Sequence, residues 1–183
     1  MSLDSQLAHD ASTPDGLVKA VVHDVMNTIK GDASLQGDRK KISAMMDQKI
    51  WPYVDFQRTA RLCVGSQWLV TTPDQRQYIV EQFKKLLIER YAADLAQVHD
   101  QRADYKPLRA TPDATDVVVE SQIVGNRRSV SVAYRVAKTA NGWRVYDLST
   151  GAVWVVATYQ RIFAESMNRS GIDGLIGFLR DLD

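Results

Sequence analysis

The residues that could do chemistry are few and scattered. His9, His23 and His99 lie far apart, and none has a second ligand-type residue at the spacing a metal ion requires. Cys63, the only cysteine, sits between Leu62 and Val64 on an apolar stretch without a charged neighbour. It reads as a packed thiol rather than a nucleophile, and no disulfide can form within the chain. The sequence contains no G-x-S-x-G, no phosphate-cradling glycine loop and no G-x-G-x-x-G. Asp55 and Asp147 remain as candidate acid/base groups. A helix cap accounts for Asp55, whereas Asp147 stands among apolar residues of a strand, where a buried acid is a candidate base. Nothing in the sequence pairs the two. The inventory lends enzymatic chemistry no support and calls for no metal and no cofactor.

The elements that would carry these residues are clearer. Thr13-Pro14 reads as an N-cap followed by proline at the first helical position. The helix beyond it carries Leu17, Val18, Val21, Val22, Val25, Met26 and Ile29 on one stripe. Gly31 and Gly37 bracket a turn, and Ile42, Met45, Met46 and Ile50 mark a second amphipathic piece broken at Trp51-Pro52. Asp55 caps a short helix that ends near Gly65. Thr72-Pro73-Asp74-Gln75 is a capping box with proline at N1. From there Ile79, Phe83, Leu86, Leu87, Tyr91, Leu95 and Val98 recur at three- and four-residue steps, predicting the longest helix.

Past about residue 103 the period changes from 3.6 to 2. Val117 to Ile123 is β-branched and is followed by a Gly125-Asn126 turn signal. Val130, Val132, Tyr134 and Val136 alternate with Ser129, Ser131, Ala133 and Arg135, giving one apolar and one wet face. Asn141-Gly142 predicts a hairpin turn into a strand from Trp143 to Leu148. Ala152 to Met167 reads as a helix or a strand-to-helix transition, and Asp173-Gly174 opens a short terminal helix. Helices, then an antiparallel meander, then helices make an α+β protein with a sheet of about four strands and one domain over residues 13–183.

Composition bounds the function. The 183 residues are 45% hydrophobic and 25% charged, ordinary values for a globular domain. Lys and Arg total 23 against 22 Asp and Glu, and no basic stripe is present, which argues against nucleic acid as a partner. No apolar run approaches the ~20 residues of a membrane span. What stands out is bulky apolar side chains on both layers: Trp68, Phe83, Leu87 and Tyr91 on helical stretches, facing a half-wet sheet. Either the two layers close on an ordinary core, or they stay apart around an apolar cavity for a ligand. Periodicity does not separate these readings.

Two motif blocks bear on the choice. The first runs Pro52-Tyr53-Val54-Asp55-Phe56, Arg61-Leu62, Gly65, Trp68 and Thr72-Pro73-Asp74-Gln75-Arg76, with Phe83, Leu86-Leu87 and Tyr91 in register. The second runs Gly142-Trp143-Arg144-Val145-Tyr146-Asp147-Leu148, Tyr159, Phe163 and Gly171-Ile172-Asp173-Gly174-Leu175-Ile176. Together, over residues 16 to 182, they resemble the MlaC-type periplasmic phospholipid-binding proteins, the toluene-tolerance family. The resemblance implies a twisted antiparallel sheet wrapped by N- and C-terminal helices, NTF2-like in shape, with an apolar cavity. It implies a monomeric phospholipid carrier working between outer and inner membranes. Its partners would be an inner-membrane ABC transporter with an MCE-domain subunit and an outer-membrane lipoprotein–porin complex. It also implies export, so residues 1–12, beginning Met1-Ser2-Leu3, read as a cloning scar and flexible start in place of a signal peptide.

Enclosure makes physical sense for such a cargo. Two acyl chains expose on the order of 28 methylenes at about 0.8 kcal/mol each, or roughly 20 kcal/mol in water. The expected lipid-contacting residues are Trp68, Phe83, Leu87, Tyr91, Val132, Tyr134, Val145 and Leu148, with Trp154 added. Val145 and Leu148 fall on opposite faces of one strand unless a bulge intervenes. Around Gly151-Ala152-Val153-Trp154 the sequence departs from the family, which usually has Glu-Gly-Val-Ser there. The indole of Trp154 either fills the cavity or faces outward as an anchor. Two rival readings stand beside the carrier: an NTF2-like enzyme using Asp147 as base with Tyr134 or Tyr146 as donor, and an adaptor whose groove binds a protein segment.

Overall fold

The computed structural model describes residues 10–182, so His9 and Met1-Ser2-Leu3, with the reading placed on them, lie outside the described residues. Among the described residues, six α-helices accompany one antiparallel sheet whose strands are ordered as in the sequence, β1-β2-β3-β4-β5. Helix α1 (Pro14–Gly31) starts where the cap predicts, Thr13 Oγ1 accepting from Gly16 N at 3.2 Å. After α2 (Arg39–Lys49), the Trp51-Pro52 break becomes a 3₁₀ turn, Trp51–Tyr53. Asp55 Oδ1 then accepts from Arg58 N to start α3 (Phe56–Val64). The capping box of α4 (Pro73–Ala96) is complete, Thr72 accepting from Gln75 N while the Gln75 side chain accepts from Thr72 N.

The strands are β1 (Arg102–Tyr105), β2 (Asp116–Val124), β3 (Ser129–Thr139), β4 (Gly142–Thr150) and β5 (Val153–Trp154). The sheet therefore has five strands rather than about four. Both strands the sequence leaves unmarked are short edges, of four and two residues, too brief to show a period. The β3–β4 hairpin forms, but Thr139 pairs with Gly142, so Ala140-Asn141 is the loop. Gly142 sits just beyond it at φ +96°, where a side chain would be strained. Helix α5 is Val155–Met167, and α6 is Gly171–Arg180, opening two residues before Asp173 because Gly171 turns the chain at φ +57°.

A bulge in β4 settles which residues share a face. Arg135 pairs with Asp147 and Val136 with Val145, so Tyr146 is the extra residue. Val145 and Leu148, paired with Val136 and Tyr134, therefore both point toward α1 and the helical layer. On that face lie Val117, Val119, Val132, Val136 and Tyr134, while Val118 and Glu120 on the other face are exposed.

The buried apolar residues form three clusters rather than one. The first packs α3, α4, α5 and α6 around Phe83, whose ring is fully enclosed by Phe56, Tyr159 and Phe163 at centroid distances of 5.1, 5.0 and 5.0 Å. The second joins α1, α2 and α4 through Ile29, Ile42 and Ile88. The third lays Leu17 and Val18 of α1 on Val117, Val119 and Val136.

Candidate functional site

The expected lipid-contacting residues divide by burial. Trp68, Phe83 and Leu87 are buried members of the first cluster, and Phe83 is 0% exposed. Trp68 belongs to the turn between α3 and α4, with the Arg76 guanidinium over its ring at 5.2 Å. Trp68 and Phe83 are packed core in this form, the bland half of the alternative that periodicity left open. Val132 is buried on the helix-facing side of the sheet. Tyr91 and Leu148 are half-buried at the edge of the first cluster, and Tyr134 and Val145 at the edge of the third.

Those half-buried residues are joined by others outside the set of expected lipid contacts. Val21 packs on both the second and third clusters, and Trp51 on both the first and second. Val54 extends the line, bridging Val145 while the Asp55 N–H donates to the Val145 carbonyl at 2.8 Å. Val21, Trp51, Val54, Tyr91, Tyr134, Val145 and Leu148 thus mark an apolar seam where the clusters meet without merging. Of the three residues added to that set, Val21 reads in sequence as part of a helical stripe, Val54 as part of a motif block and Trp51-Pro52 as a helix break, and none of those signals marks a ligand contact.

The sheet is held firmly at this seam. Thr59 Oγ1 donates to the Tyr146 carbonyl at 2.7 Å, tying α3 to the bulge. Tyr146 Oη donates to Asp116 Oδ1 at 2.8 Å, beneath the Arg58 guanidinium at 3.9 Å from its ring centre. Burial pushes the Tyr134 hydroxyl well above the usual phenol range and raises Tyr105 to about 12, so both stay neutral.

Asp147 has a structural task. Its Oδ1 accepts from Val156 N at 3.0 Å and from Leu148 N at 2.8 Å. Val156 lies in the first turn of α5, whose own N-cap, Trp154, offers no side-chain bond, so Asp147 caps that helix from β4. Burial raises its pKa, opposed by the two backbone bonds. The register separates Asp147 from Tyr134 across the sheet, and the Tyr146 hydroxyl is committed to Asp116. The acid–donor constellation of the enzyme reading is therefore not assembled. Cys63 is buried with its Sγ 3.9 Å from the Val156 carbonyl, and burial raises its pKa, consistent with a packed thiol.

Trp154, expected among the lipid-contacting residues, lies apart from the others in the fold. It pairs with Ser149, which shares its face with Ala133 and Asp147 rather than with Leu148. The Arg135 guanidinium lies 4.3 Å from its ring centre, so the indole stands on the sheet's other side beneath a cation. A cleft of about 490 Å³ is lined by the 107–114 loop and by Asp116, Val118 and Glu120. Its charged lining suits water better than acyl chains.

Comparison with known proteins adds the chemistry of a ligand. Residues 19–181 match the family described as MlaC protein. The chain is 19% identical over 170 residues to the intermembrane phospholipid transport system binding protein MlaC of Haemophilus influenzae, covering 90% of this chain and 79% of that one. It is 22% identical over 166 residues to toluene tolerance protein ttg2D of Pseudomonas putida, covering 89% and 77%. A phospholipid-binding protein from Ralstonia solanacearum, solved in complex with a phospholipid, superposes with a TM-score of 0.90 at 44% identity, covering 92% of this chain and 95% of that one.

Proposed function

The chain belongs to the MlaC family, and from that premise we propose that it is a periplasmic phospholipid carrier of an intermembrane transport system. The acyl chains would lie in the seam between the sheet and the helical layer, with the head group at its edge. The observation that carries this reading is the row of half-buried apolar side chains from Val21 to Leu148, in a chain 44% identical to one solved with a phospholipid. Each methylene that leaves water there contributes about 0.8 kcal/mol, so enclosing both tails offsets the order of 20 kcal/mol that a free lipid would cost.

No catalytic step is required of such a carrier, and Asp147 is already occupied as a cap. A net charge of +1 lets the protein leave an anionic surface after visiting it. Loading and unloading would involve the inner-membrane ABC transporter with its MCE-domain subunit and the outer-membrane lipoprotein–porin complex, with the carrier acting as a monomer. Native mass spectrometry of the purified protein, followed by lipid extraction, tests the reading. Phospholipid adducts are expected. Empty protein that takes up nothing from labelled vesicles would refute it.

A further inference from the structure

We propose that Trp51 and Lys84 form the head-group end of the lipid site, Trp51 Nε1–H donating to a glycerol ester carbonyl and the Lys84 ammonium pairing with the phosphate. This rests on the carrier reading. Among the described residues, Trp51 Nε1 is the buried side-chain polar atom left without a hydrogen-bond partner. A buried donor in that state is costly, so its position calls for an acceptor. Trp51 also stands where the first and second clusters meet, at one edge of the seam.

Lys84 lies directly against it. Its Nζ is 5.4 Å from the centre of the Trp51 ring and 5.6 Å from that of Phe56. Three other half-buried cations have polar partners: Lys49 pairs with Asp24 at 3.0 Å, Arg58 with Asp116 at 3.2 Å, and Arg76 donates to Thr71 Oγ1 and the Trp68 carbonyl. Lys84 is half-buried with no carboxylate within ion-pair reach among the described residues. Along α4, Lys84, Leu87 and Tyr91 fall at i, i+3 and i+7, so the ammonium opens a line of side chains that continues to the seam. In a glycerophospholipid only the glycerol backbone separates the phosphate from the ester carbonyls. One neutral N–H donor beside one cation, at the start of an apolar track, matches that sequence of groups.

The test loads the protein from vesicles containing equal amounts of a diester phosphatidylethanolamine, its diether analogue and the matching diacylglycerol, and reads adducts by native mass spectrometry. The intact protein is expected to take the diester about tenfold over the diether, the ratio that 1.4 kcal/mol gives. W51F should bring those two near parity while still preferring phospholipid to diacylglycerol. K84M should lose that second preference while keeping the first. Equal diester and diether loading by the intact protein, or either preference surviving its substitution, would overturn the proposal. Inorganic phosphate that blocks loading only through Lys84 would identify the phosphate as the group read there, and unchanged phospholipid preference in K84M would exclude it. Should W51F fail to fold, the ¹⁵N–¹H indole resonance of Trp51 in the intact protein decides: it should move downfield with the diester and not with the diether, and an unmoved signal would overturn the assignment. Retention of no lipid of any kind would instead refute the carrier reading itself.

Discussion

Val136 and Val145 face each other across β3 and β4, yet substituting each by threonine should have opposite consequences. The exchange keeps shape and β-branching and adds one hydroxyl. Val136 is 0% exposed within the third cluster, so the Val136→Thr hydroxyl is desolvated in every state of the protein. That costs about 1–3 kcal/mol, which in a domain of this size lowers Tm by roughly 2–4 °C per kcal/mol. Val145 is half-buried at the seam, and a hydroxyl there remains hydrated while the seam is empty. Delipidated Val145→Thr should unfold within about 0.5 kcal/mol of the parent, the range of a substitution that leaves its polar group wet. Once acyl chains cover the site the same 1–3 kcal/mol appears in binding, a loss of about 5- to 150-fold in lipid affinity. Thermal unfolding of the delipidated proteins and competitive loading from vesicles measure the two effects separately. Val145→Thr that binds lipid normally but melts like Val136→Thr would show that Val145 is core and that the seam is misplaced.

Asp147→Asn should keep an acceptor for the α5 amides while removing a carboxyl whose pKa burial raises above its ordinary 3.8. Because the folded pKa is raised, the contribution of Asp147 to stability is full below the ordinary value and is lost as pH rises through the folded one. Denaturant titrations from acid toward neutral pH should show that decline in the parent and not in the variant. Gly174→Ala would set a Cβ 2.3 Å from the Ser166 carbonyl oxygen, forcing α6 off α5. Chemical denaturation should register a loss of about 1–3 kcal/mol. Trp154→Ala, on the sheet's far side under Arg135, should leave lipid content by mass spectrometry unchanged. Depleted lipid in that variant would place the indole in the cavity.

Local signals with a chemical mechanism were readable directly from the chain. The capping box at Thr72, the caps at Thr13 and Asp55 and the break at Trp51-Pro52 each involve neighbours in sequence, and each recurs in the fold. Faces were less readable. The alternation of β3 identified the apolar side, but the bulge at Tyr146 depends on pairing between strands, which no single strand records. The same limit governed the site. Phe83 and Tyr91 look equivalent on a helical stripe, and only the packing of Phe56, Tyr159 and Phe163 makes one of them core and leaves the other at a seam. Trp51 was hidden for a related reason, since its importance lies in joining two clusters that are distant in sequence.

The central claim is that phospholipid tails occupy the space between the sheet and the helical layer. A crystal structure of the protein loaded with a single diacyl phospholipid tests it most directly. Continuous acyl-chain density should run against Tyr91, Tyr134, Val145 and Leu148, with the glycerol backbone beside Trp51. Tail density lying instead on the opposite face, along Val118 and Trp154 or in the cleft lined by Arg109 and Glu120, would contradict the account.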